Sequence, residues 1–70
     1  MTIHYRYSRH AAQRAARRRI SQAEIEAALA HKPRWNEPRR VEVYRDPVTG
    51  VTVVVSPYKQ EIVTVYVQPT

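Results

Sequence analysis

The hydrophobic period of this chain changes once, at Pro33, and that change constrains the fold more than any other feature. Before Pro33 the apolar residues recur at helical spacing. After it they alternate singly, as in strands with one buried face. The chain therefore divides into a helical first half and a stranded second half, which is the pattern of an α+β domain with its helices on one side of the sheet.

The helical half contains two starts. Ser8 is a suitable N-cap, and nothing from there to Arg19 breaks a helix, so the first is expected over about residues 8–19. Ala11, Ala12, Ala15 and Ala16 form its apolar stripe, and at about 100° per residue His10, Arg14 and Arg17 point away from it. "SQAE" is a capping box with Ser21 as N-cap and Glu24 at the third helical position, which starts a second helix over about 21–31. Ile25, Ala28 and Leu29 are its apolar face, and Pro33 stops it. Two adjoining helices invite a helix-turn-helix reading, but the second presents Glu24 and Glu26, which phosphates repel.

The stranded half predicts strands at about 39–46, 50–56 and 61–68. "DPVTG" joins the first pair with Gly50 available for positive φ, and "PYKQ" joins the second pair. Two helices on a three- to four-stranded antiparallel sheet result, with Trp35 in the least defined stretch as an extra strand, a lid or a partner contact. Parity places Val63, Val65 and Val67 on one face of the last strand, and Ile62, Thr64, Tyr66 and Gln68 on the other. In the first strand Val41 and Val43 oppose Glu42 and Tyr44. The valine faces are expected to meet the alanines and Leu29. The face with Tyr44, Thr64 and Tyr66 is then polar and open.

Seventy residues make one small domain with a thin core, so a partner or dimer interface is expected to contribute, and a homodimer is among the expectations. Without cysteine there is no disulfide framework and no thiolate metal site. The three His residues lack ligand spacing, so no metal and no other cofactor is expected. No stretch is apolar enough for a membrane span, and "MTIHYRYSRH" lacks the apolar core of a signal peptide. The expected site of action is cytoplasmic, whether the domain stands free or is delivered from another cell as part of a larger chain. The net charge of +6 rests on twelve basic residues, and Arg supplies ten of them. Guanidinium matches phosphate oxygens two at a time, so nucleic acid or an acidic protein is the expected partner. A GC-rich genome that favours Arg and Ala codons would give the same composition.

"HAAQRAARRRIS" followed by "AEIEAAL", then "VTVVV" and "IVTVYV", resembles a small bacterial domain family of unknown function. Its pattern is a His-Ala-x-x-Arg helix, an Arg-Gly-Ile-Ser junction, an Ile/Val-rich second helix and a last strand ending in Thr-x-Tyr. The resemblance runs from Tyr7 to Val67, and Arg19 stands where the family usually has Gly. That family is similar to the barnase–EndoU–colicin–RelE group of ribonuclease folds, mostly toxins. The resemblance implies metal-independent RNA cleavage of tRNA or mRNA, restrained by an acidic antitoxin or immunity protein. It implies that the family's functional residues fall on His10, Arg14, Thr64 and Tyr66.

The residue chemistry is compatible. Metal-free cleavage needs a base for the 2′-hydroxyl, an acid for the leaving 5′-oxygen, and donors for the charge on phosphorus. An imidazole can fill either proton-transfer role, and Arg14, one helical turn away, can clamp the phosphate. Thr64 can donate to a phosphate oxygen, Tyr66 can donate or stack on a base, and Arg17 and Lys59 suit outer RNA contacts. By default, however, His10 is a surface residue, the arginines are a solvated face, and Thr64 and Tyr66 are good strand formers. A helix lying flat on the valine face would also point His10 away from Thr64 and Tyr66. An endoribonuclease toxin is thus one expectation. A non-catalytic inhibitor of RelE/ParE-like shape and a basic RNA- or protein-binding module are the alternatives.

Overall fold

The computed structural model describes residues 5–68, so His4 lies outside the described residues. A short strand β1 (Arg6–Tyr7) leads into α1 (Arg9–Arg18) and α2 (Gln22–Leu29). Four strands follow: β2 (Arg34–Asn36), β3 (Val41–Arg45), β4 (Val51–Ser56) and β5 (Glu61–Val67). They form one sheet in the order β1-β5-β4-β3-β2. The α+β expectation holds, but the sheet has five strands and is mixed, because β1 pairs parallel with β5. Two residues are too few to show alternation, which is why β1 left no periodic signal. Trp35 lies in an extra edge strand, β2.

Both helices are punctuated as their sequences dictate. Ser8 accepts from the Ala11 amide, and Ser21 and Glu24 complete the capping box in both directions. The second helix ends two residues earlier than expected, with Ala30 as C-cap. At the end of α1, Arg19 adopts a left-handed conformation (φ 56°), and the Ile20 amide donates to the Ala15 carbonyl at 2.9 Å. This is a Schellman turn, and it carries the buried Ile20 into the core. Glycine is the residue that takes this conformation without strain, and here an arginine holds it.

The core lies between the helices and one face of the sheet. Ala11, Ile20, Ile25 and Ala28 meet Val51, Val53, Val55, Ile62 and Val65 there. Two parity expectations are corrected. In β3 it is Tyr44 that joins this core, while Val43 faces the other side. In β5 the register jumps between Val54↔Thr64 and Val55↔Ile62, which leaves Val63 as a bulge. A bulge inserts one residue and reverses the alternation, so Ile62 and Val65 share the core face. The bulge also positions α1, because the Ser8 hydroxyl donates to the Val63 carbonyl at 2.9 Å.

The alanine stripe is narrower than expected and rotated. Ala11 is buried and Ala15 half-buried, whereas Ala12 and Ala16 are exposed. Arg14, expected to point outward, is half-buried at the margin of this face. Its aliphatic stem can cover apolar surface while the guanidinium stays wet.

Gly50 occupies the one turn where glycine is required. Its φ is +79°, and a Cβ there would strike the Gln68 carbonyl. The turn is closed by the Gly50 amide to the Asp46 carbonyl at 2.8 Å and by the Asp46 carboxylate accepting from the Val48 amide at 2.9 Å.

Candidate nucleic-acid interface

The cations of this molecule are not neutralised internally. All twelve Arg and Lys residues lie within the described segment, as do all six Asp and Glu. Yet among the described residues the sole ion pair joins His31 Nε2 to Asp46 Oδ1, at 3.9 Å. Four of the six carboxylates are engaged elsewhere: Glu24 in its helix cap, Glu37 with the Trp35 indole, Asp46 in its turn, and Glu42 with Tyr44. Glu42 accepts from the Tyr44 hydroxyl at 3.3 Å. Positive charge is therefore left on the surface, where it attracts polyanions.

Part of it gathers on two surfaces. The first is the outer side of α1, where His10 and Arg17 are exposed and Arg14 is half-buried, each one turn or less from the next. The cap at Ser8 and its bond to Val63 set the rotation of this helix, and so set where the imidazole points. Among the described residues His10 and Arg14 make no side-chain hydrogen bond or ion pair, which leaves both free for a ligand.

The second surface is the face of the sheet turned away from the helices. Thr64 and Tyr66 emerge there, because Val65 between them points into the core. Tyr66 is 37 % exposed and Thr64 half-buried. The register sets two rows across this face. Arg34, Val43, Val54 and Thr64 form one, and Arg45, Thr52 and Tyr66 form the next. Thr52 and Val54 are buried although no helix covers them, since neighbouring side chains close over the central strand. At one end of the face Lys32, Arg34, Val43, Arg45 and Gln68 line an open pocket of about 410 Å³.

The residues singled out in the sequence thus form two pairs. His10 and Arg14 share α1, and Thr64 and Tyr66 share the face of β5 turned away from the core. Lys59 belongs to neither pair; it sits exposed in the turn between β4 and β5, with its carbonyl accepting from Arg6 at 3.2 Å. Tyr44, expected on the open face, is packed in the core, where burial first, and then its bonding to Tyr5 and the nearby Glu42, push the phenol well above its ordinary pKa. That keeps it protonated and a hydrogen-bond donor. The cationic pocket was missed by the sequence reading. Its signal was present, since Arg34 and Arg45 lie on strands, but their pairing depended on β2 existing.

Among the described residues no group of three or more His, Cys, Asp or Glu is placed to hold a metal ion, and no helix is long and apolar enough to cross a membrane. Comparison with protein-family models, curated proteins and solved structures finds no match to this chain.

Proposed function

We propose that this protein acts on RNA as a metal-independent endoribonuclease of the toxin type. The observation that carries the RNA reading is the set of twelve cations, none of them paired with a carboxylate among the described residues. In a chain this small that is a standing electrostatic cost, which a polyphosphate relieves. For cleavage the reading uses α1. His10 is exposed; it takes the proton of the 2′-hydroxyl as that oxygen attacks the adjacent phosphorus, and returns it to the 5′-oxygen as the P–O5′ bond breaks. Arg14 holds the non-bridging oxygens as negative charge builds on them. The products are a 2′,3′-cyclic phosphate and a free 5′-hydroxyl. An acidic antitoxin or immunity protein would restrain the enzyme by occupying the same cations.

A second reading, a non-catalytic RNA-binding module, is favoured by one specific observation. Thr64 and Tyr66 sit on the face of β5 turned away from the core, where they offer RNA a hydrogen-bond donor and a stacking ring.

Incubating the purified chain with bulk RNA and tRNA in excess chelator separates the two. The expected result is discrete fragments with cyclic-phosphate ends, and a fall in rate of about 10²- to 10⁴-fold for His10→Ala, the range of a general acid–base group. His10→Ala is expected to fold normally, since alanine is the best helix former. RNA left intact both with and without added ribosomes would remove the enzymatic reading and leave the binding module.

A further inference from the structure

We propose that the sheet face opposite the helices carries a phosphate-binding pocket, formed by Lys32, Arg34 and Arg45, that holds a single-stranded RNA whose neighbouring base stacks on Tyr66. The inference rests on the RNA reading above and adds to it a second contact surface, remote from His10.

The pocket combines three features. Its cations converge from different elements. Arg34 comes from the edge strand β2, Arg45 from β3, and Lys32 from the segment before β2. No carboxylate is among its lining residues, so the three charges have no counter-ion there. Its floor is the half-buried Val43, directly paired with Arg34, and Gln68 contributes from the end of β5. A pocket of about 410 Å³ is large enough for a small ligand group, and three convergent cations around it select an anion.

What lies beside the pocket favours RNA over an acidic polypeptide. Arg45 continues across the sheet through Thr52 to Tyr66. Strands lie about 4.8 Å apart, which places the tyrosine about 10 Å from the arginine, across the central strand. Thr52 between them is fully buried and its hydroxyl already donates to the Gly50 carbonyl at 3.1 Å, so it offers no competing polar group. A phosphate on the guanidinium forks and a base on the exposed ring match these two ends, and aromatic stacking is how sheet surfaces hold unpaired bases. A carboxylate side chain would use the cations and leave the ring without a planar partner.

The test is fluorescence anisotropy of the full chain with a labelled oligouridylate carrying 2′-O-methyl sugars, titrated at several salt concentrations. Such an oligomer has no free 2′-hydroxyl, so it binds without being cut and the result does not depend on cleavage. The combined variant K32Q, R34Q, R45Q is expected to bind at least about 10-fold more weakly. The slope of log affinity against log salt should fall by about 2, for three phosphate contacts at roughly 0.7 each. Tyr66→Leu should weaken binding about 10-fold with the slope unchanged, as loss of stacking does. R34K with R45K keeps the charges and should restore the slope. Should the combined variant fail to fold, Arg34→Gln alone, on an exposed edge strand, reads a slope loss of about 0.7. Parental affinity and slope in the pocket variants, with loss in R14Q or R17Q, would overturn the pocket and leave the RNA reading standing. Polyglutamate displacing the oligomer as well as unlabelled RNA does would overturn the choice of ligand. No binding by the parent protein would overturn the RNA reading itself, and the pocket with it.

Discussion

The strand β4 and the helix α1 stand at opposite extremes of this small molecule. Five consecutive residues of β4, Val51 to Val55, are buried, while α1 fully buries only Ala11. An alanine side chain brings little apolar area, so α1 is held less by packing than by its two ends. One end is the Ser8 cap bonded to the bulge at Val63, and the other is the strained turn at Arg19 that carries Ile20 into the core. The two cationic surfaces inherit this difference. Of the pocket arginines, Arg45 stands on β3, which is paired on both sides and buries Tyr44 in the core, and Arg34 stands on the exposed edge strand β2. The His10–Arg14 surface rests on an element that opens at lower free energy, as segments with few buried apolar contacts do.

Removing the anchor of α1 should break that contrast most visibly. Ser8→Ala loses both the cap bond to Ala11 and the bond to Val63, and is expected to cost about 2 kcal/mol. For a domain of this size that lowers the melting temperature by about 10 °C. The proposed RNA cleavage, which uses α1, should fall at temperatures where binding of the methylated oligomer still persists. Equal loss of both would mean that the two surfaces are not mechanically separate.

Relieving the strain at the other end should sharpen the contrast in the opposite direction. Arg19→Gly removes a left-handed non-glycine residue, a conformation that costs roughly 1–2 kcal/mol, and part of that gain is offset by glycine's greater freedom when unfolded. A net stabilisation of about 0.5–1 kcal/mol is expected in denaturant titration, with slower amide exchange in α1 and unchanged exchange in β4. A destabilised Arg19→Gly protein would show that the arginine side chain, and not the backbone, is what matters there.

The smallest effect concerns α2, which lies over β3 and β4 on the rigid side. Hydrogen bonds from the Ser21 backbone and side chain hold the Glu24 carboxyl below its ordinary value of 4.5 in the folded state. A carboxyl depressed by folding stabilises above its unfolded pKa, and that share is lost as pH falls through the folded one. Melting temperatures followed from pH 6 down to pH 3 should therefore fall less steeply for Glu24→Gln than for the parent. Since Glu24 is only half-buried the difference is small, and the proposed cleavage should be unaffected at neutral pH.

The elements with strong local chemistry were legible in the sequence. The Ser8 and Ser21 caps, the stop before Pro33, the Gly50 turn and the three long strands follow from spacing and turn residues. The two faces of the sheet were only partly legible. Alternation alone put Ile62 with Thr64 and Tyr66, because a bulge adds a residue without any change in composition. It also put Val43 in the core ahead of Tyr44, although a tyrosine fills more of the space under α2 and can keep its hydroxyl satisfied by Glu42. The candidate pair His10 and Arg14 was visible as helical spacing, whereas the pocket was not. Its arginines are eleven residues apart and become neighbours only because β2 pairs with β3.

By itself, then, the sequence determined the α+β class, the two helices and their caps, the excess of positive charge, and the arginine that carries most of it. These are local properties, set by backbone propensity, hydrogen bonds within a turn, and the count of ionisable groups. Only the tertiary structure decided that β1 runs parallel to β5, that Val63 bulges, and that Arg34 and Arg45 meet on one face of the sheet. Those outcomes depend on register and on long-range pairing. A shift of one residue moves every side chain beyond it to the other face, and no short stretch of sequence carries the energy that selects one register over the next.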